Sequence, residues 1–169
     1  MDNQIATVAV AMMEKNCGDV KRIEHSLKVH SYARLLGTAE LLDKHTLCIL
    51  ELAALLHDIG IHVAEKKYGR SSSHHQETEG PPVAREILNA LGFETRMVDR
   101  VCYIISKHHT FTAIDGIDFQ LLVEADFLVN STEDQMSESQ IISFAKNLFT
   151  SESGLKYLKL LFPSHRFDH

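Results

Sequence analysis

Apolar residues recur at helical spacing along nearly the whole chain. Ile5, Val8, Ala9 and Met12 fall at i, i+3, i+4 and i+7, the stripe of an amphipathic helix, and Gly18 offers a stop. Asp19 is placed to cap a second helix running to Gly37. Asp43 is placed to cap a third, apolar almost all round from Leu47 to Leu56 and ending near Gly60. Such a helix belongs at the centre of a bundle. Pro81 and Pro82 are placed to open a helix carrying Val83, Ile87, Leu88 and Leu91, with Gly92 at its end. Val98, Val101, Ile104 and Ile105 mark another. Thr112 to Gly116 reads as a turn, and Asp118 as the cap of a helix through Asn130. Ser137 and Gln140 form a capping box ahead of Ile141, Ala145 and Leu148. Leu155, Leu158, Leu161 and Phe162 make a last helix before Pro163. Between His62 and Gly80 the periodicity vanishes, and this polar run reads as a long loop, a feature that often serves function. No segment alternates as a strand does. The pattern predicts an all-α bundle of about seven or eight helices forming one domain.

Length and charge narrow the class. The chain has 169 residues, enough for one domain with a real core. Its 17 basic and 23 acidic side chains leave a net charge of −6, so no extended nucleic-acid surface is expected. The N-terminus lacks a basic lead-in and a small-residue cleavage site, and the stretch from Leu47 to Ile61 is broken by Glu51, His57 and Asp58. Neither a signal peptide nor a membrane span is expected. Cys17, Cys48 and Cys102 are far apart and form no CxxC pair, which suits free thiols in a reducing cytoplasm. The apolar first helix leaves a homodimer open, and the tail with His165 and His169 reads as a disordered end.

The unusual count is 11 histidines. His25 shares a stripe with Val29, Tyr32 and Leu36, whereas His30 lies about 140° away and faces elsewhere. His57 ends the stripe Leu47, Leu50, Ala54, and Asp58 follows it directly. His108 continues Val101 and Ile105; Asp126 interrupts Phe119, Leu122 and Val129. An unpaired carboxylate in an apolar stripe is costly. A single such residue is usually a hydrogen-bonded core group. Several of them on separate helices point to a shared cation, which pairs the carboxylates and uses neutral imidazoles as ligands.

The segments RIEHSLKVHSYARLLG, LLHDIG and LLVEADFLVN resemble the HD-domain superfamily of metal-dependent phosphohydrolases, roughly over residues 20 to 130. The resemblance implies His25, His57, Asp58 and Asp126 as ligands of one ion. In members with two or more ions, a further His and a His-His pair hold the second, and the Asp of the His-Asp pair bridges. Here His108 and His109 resemble that pair. The further His has no clear equivalent: Glu79, just before Gly80, is favoured and His75 is the alternative. A carboxylate there would shift preference toward manganese or iron. Where many relatives carry Lys after HDIG, this chain has Ile61.

The implied cofactor is one or two divalent transition-metal ions (iron, manganese, cobalt, nickel or zinc). The implied reaction is hydrolysis of a phosphomonoester or phosphodiester, most simply in a nucleotide, by metal-activated water with Asp58 orienting it. Lys107, Lys28, Arg70 and the Lys66–Lys67 pair are candidate phosphate contacts, and the 62–80 run a candidate lid. The competing readings are a non-catalytic metal- or nucleotide-binding sensor and a helical interaction protein with structural histidines.

Overall fold

The computed structural model describes residues 2–164. His165 and His169 lie outside the described residues. The chain forms nine α-helices among those residues and no strand: α1 (Asp2–Lys15), α2 (Val20–Ala39), α3 (Lys44–Leu56), α4 (Ile61–Tyr68), α5 (Ser73–Ala90), α6 (Thr95–Ile105), α7 (Ile117–Glu133), α8 (Glu138–Leu148) and α9 (Glu152–Leu161). A 3-10 turn, Phe111–Ala113, leads into α7.

The all-round apolar α3 is the axis of the bundle. Every residue from Cys48 to Leu56 is buried, and α3 packs against α1, α2, α6 and α7. By length and composition the stretch Lys44–Tyr68 could cross a membrane, but 78% of its most apolar window is buried inside the domain. That is the behaviour of a core helix. The expected caps form at Asp19, which accepts from the Arg22 amide, and at Asp43, which accepts from His45 and Thr46. Ser137 and Gln140 complete the capping box of α8. Asp118 does not cap α7. Gly116 holds that position, and Asp118 instead takes the Arg100 guanidinium at 2.6 and 2.8 Å.

The 62–80 run is not a loop. It contains α4 and the first half of α5, and Pro81 and Pro82 lie inside α5 rather than at its start. Proline's fixed φ suits a helix, at the expense of two rungs of the hydrogen-bond ladder. Ser72 caps the true start of α5. Gly69, at φ +70°, closes α4 in a conformation that L side chains rarely adopt. Only Ile61 and Ala64 of α4 are buried, so this helix has too thin a stripe to be read by periodicity.

Two glycines let α4 and α5 meet backbone to backbone. A Cβ on Gly60 would lie 2.7 Å from Gly80 Cα and 2.8 Å from the Glu79 carbonyl carbon. A Cβ on Gly80 would lie 2.8 Å from Ile105 Cγ2. This contact sets the position of α5 against the end of α3.

At the far end a fully buried carboxylate holds α8 and α9 together. Glu124, 0% exposed, accepts from Gln120 Nε2, from the amides of Thr150 and Ser151, and from the Ser151 hydroxyl. Glu124→Ala strands these donors in the interior. We expect it to cost about 3 kcal/mol and to lower the thermal midpoint by about 6–12 °C in a circular-dichroism melt. A midpoint within about 2 °C of the parent would show that the network contributes little.

Candidate metal centre

Four segments bring imidazoles and carboxylates to one point. His25 comes from α2, His57 caps α3, Asp58 follows in the turn, Asp126 comes from the middle of α7, and His108 stands just beyond α6. His25 Nε2 lies 3.3 Å from His57 Nε2 and 3.3 Å from Asp126 Oδ1. His57 Nε2 lies 3.5 Å from both Asp126 Oδ1 and Asp58 Oδ2. His108 Nε2 lies 3.6 Å from Asp58 Oδ1. One ligand atom each of His25, His57 and Asp58 falls within 4.8 Å of the others, and the same is true of Asp58, His108 and His109. Asp58 belongs to both clusters, with its two oxygens turned to different sides.

The outer nitrogens explain this convergence. His57 Nδ1 meets the Ala54 carbonyl at 2.9 Å, and His108 Nδ1 meets the Ile105 carbonyl at 2.7 Å. His25 Nδ1 meets Glu133 Oε2 at 3.0 Å. Carbonyls and carboxylates only accept, so each Nδ1 carries the proton and each Nε2 faces the centre.

These residues fit a divalent ion. The Nε2 atom of His108 is buried and has no hydrogen-bond partner, which is costly unless something else satisfies it. Facing Nε2 atoms 3.3 Å apart repel unless a cation or proton lies between them. The carboxylates of Asp58 and Asp126 face imidazoles rather than Lys or Arg. A nitrogen and oxygen donor set of this kind suits borderline divalent metals. Protons stand in otherwise. Burial opposes charge on His57, but Asp58 and Asp126 outweigh it and raise its pKa to about 9. Burial likewise favours the neutral form of Asp58, but His57 and His108 hold it down to about 2. His109 moves the other way: burial and the neighbouring His108 lower it to about 4.

The candidate for the remaining ligand is displaced. Glu79 points away from the clusters, accepting from Lys67 Nζ at 2.8 Å and the Tyr68 hydroxyl at 2.7 Å. His75 stacks on the Tyr68 ring at 4.1 Å between centroids. The α5 residues that reach the site are Gln76, whose Oε1 lies 2.5 Å from His109 Nε2, and Glu77, which accepts from the His109 amide and the Thr110 hydroxyl. They sit one turn before Gly80 on its inward face; Glu79 is about 100° off that face.

The expected phosphate contacts are either paired with carboxylates or exposed. Lys28 pairs with Glu133 at 3.0 Å, Lys67 pairs with Glu79, and Lys66, Arg70 and Lys107 are exposed. His30, as expected, faces away and meets the buried Glu51 at 3.0 Å, where Arg34 joins it. A cavity of about 360 Å³ opens beside the centre, lined by Lys21, Arg22, His25, Asp58, Asn130 and Glu133 among others. Arg22 was not singled out from the sequence. It is clamped by Asp19 at 2.7 Å and Glu65 at 2.6 Å.

A family model described as HD domain matches residues 22–150, well over half of the chain. The chain belongs to the HD domain family. HD domains bind divalent metals and are generally metal-dependent hydrolases. The match spans His25, the His57–Asp58 pair, His108, His109 and Asp126 together. Comparison of this HD domain with curated proteins and with solved structures finds no match.

Proposed function

We propose that this HD domain hydrolyses a small phosphate monoester, a nucleoside monophosphate being the favoured substrate, with a divalent metal. The observation that carries this reading is the convergence of buried Nε2 atoms and carboxylates beside a solvent-open cavity. His25, His57, Asp58 and Asp126 would hold one ion. Asp58, His108 and His109, with Gln76 adjacent, would hold a second. When bound, a divalent ion supplies Lewis acidity toward a phosphoryl oxygen and makes water a stronger acid.

The protein's own groups do the rest. The protonated Nδ1 atoms keep the imidazoles turned inward, so little reorganisation is needed when substrate arrives. Arg22, already fixed by two carboxylates, presents a guanidinium at the cavity wall suited to a phosphate oxygen. The cavity balance limits substrate charge. Beyond the ligands, Asp19, Glu133 and Asp134 line the cavity together with Lys21 and Arg22, so added phosphates find no excess of positive charge there.

The test is phosphate release from nucleoside mono-, di- and triphosphates and from a phosphodiester, with metal-free protein reconstituted with manganese, iron, cobalt, nickel or zinc. Monophosphates are expected to be turned over at least about tenfold more efficiently than triphosphates, a barrier difference of about 1.4 kcal/mol. Preference for triphosphates or the diester would overturn the substrate assignment. Absence of release with every metal would overturn the hydrolase reading.

A further inference from the structure

We propose that Glu133, braced by Lys28, is the positioning residue that turns His25 toward the metal centre and strengthens it as a ligand; this rests on the metal-dependent reading above. His25, His57 and His108 turn Nε2 toward the centre, and each has its Nδ1 proton held from outside. His57 and His108 use backbone carbonyls three residues earlier in their own segments. His25 lies within the second turn of α2, where the carbonyls before it are committed to the helical ladder, so its holder comes from elsewhere. Glu133 Oε2 supplies it at 3.0 Å, and Glu133 Oε1 accepts from Lys28 Nζ at 3.0 Å. The Glu133 side chain is only 17% exposed.

Its placement argues against a casual surface ion pair. Glu133 is the last residue of α7, where a carboxylate opposes the helix dipole. It lies seven residues after Asp126, two turns along the same face. Between them Asn130 donates to Asp126 Oδ1 at 2.9 Å. One strip of α7 therefore carries a candidate ligand, a group orienting that ligand, and a group orienting a second one. A carboxylate, unlike a carbonyl, brings negative charge to the outer nitrogen and makes the imidazole a better donor to a cation.

The probe is Mn²⁺ binding to the metal-stripped full chain, followed by calorimetry or chelator competition. Removing an outer partner of a ligating His typically weakens metal binding 10- to 100-fold, so Glu133→Ala is expected to raise the dissociation constant by about that factor. Glu133→Gln keeps the shape and an acceptor but loses the charge, and is expected to lose at least about threefold while rescuing part of the alanine defect. In zinc-saturated protein, the downfield Nδ1–H proton resonance of His25 is expected in the parent and absent from Glu133→Ala. If Glu133→Ala does not fold, Glu133→Gln decides, and parental affinity in it overturns the proposal. Affinity within twofold of the parent in Glu133→Ala also overturns it while leaving the metal centre standing. A parent chain that binds no Mn²⁺ overturns the centre itself.

Discussion

Asp58→Asn is expected to lose bound metal by more than about 100-fold, beyond the range seen for outer partners of ligands, and to lose phosphate release with it. The reason is geometric. Oδ2 of Asp58 faces His25 and His57 at 3.7 and 3.5 Å, while Oδ1 faces His108 at 3.6 Å. One carboxylate thus serves both clusters, and no neighbour can replace it from both sides. The substitution conserves volume, so helicity should stay at the parental level. Elemental analysis after dialysis gives the ion count, and the phosphate assay gives turnover. A variant that keeps both the ions and the turnover of the parent would remove Asp58 from the centre.

Gly60→Ala is expected to be the most damaging substitution that touches no ligand. The added methyl meets the Gly80 backbone and the Glu79 carbonyl carbon, and backbone cannot rotate aside. Overpacking that forces side-chain and backbone shifts costs about 1–3 kcal/mol; with all three contacts on backbone we expect the top of that range, about 3 kcal/mol. For a chain of this length that lowers the thermal midpoint by at least about 6 °C. Because α5 must move outward, Gln76 and Glu77 should also withdraw from His109 and Thr110, and metal affinity should fall together with stability. Gly80→Ala is expected to be milder, since its closest contact is the Ile105 side chain. A Gly60→Ala melt within about 2 °C of the parent would show that the two helices have slack at this contact.

The bundle was legible because most of its helices bury a stripe that periodicity can count. His25, His57, His108 and Asp126 stand out as polar members of such stripes, with Asp58 next to one, and the structure brings them together. The difference over residues 62–80 has one cause. In α4 and the start of α5, burial comes from close backbone approach at Gly60 and Gly80 rather than from large apolar side chains. These segments therefore left no stripe. With Pro81 and Pro82 read as the opening of a helix, Glu79 stands just before its start; with α5 running from Ser73, the residues that reach His109 and Thr110 are Gln76 and Glu77. Lys28 reads as a candidate phosphate contact because its partner, Glu133, is 105 residues away in sequence. Glu133 and Asn130 hydrogen-bond to His25 and Asp126. Their only trace in the sequence is their spacing from Asp126.

The way the imidazoles are anchored bears on how the site can vary among descendants. His57 and His108 rely on main-chain oxygens, those of Ala54 and Ile105, which are present whatever residue occupies those positions. Their orientation is insulated from single-residue drift and is forfeited only if the last turn of α3 or α6 frays. His25 has no such insulation. On the proposed metal reading, substitutions at its α7 anchor would loosen His25 by degrees while the rest of the cradle stays as inherited.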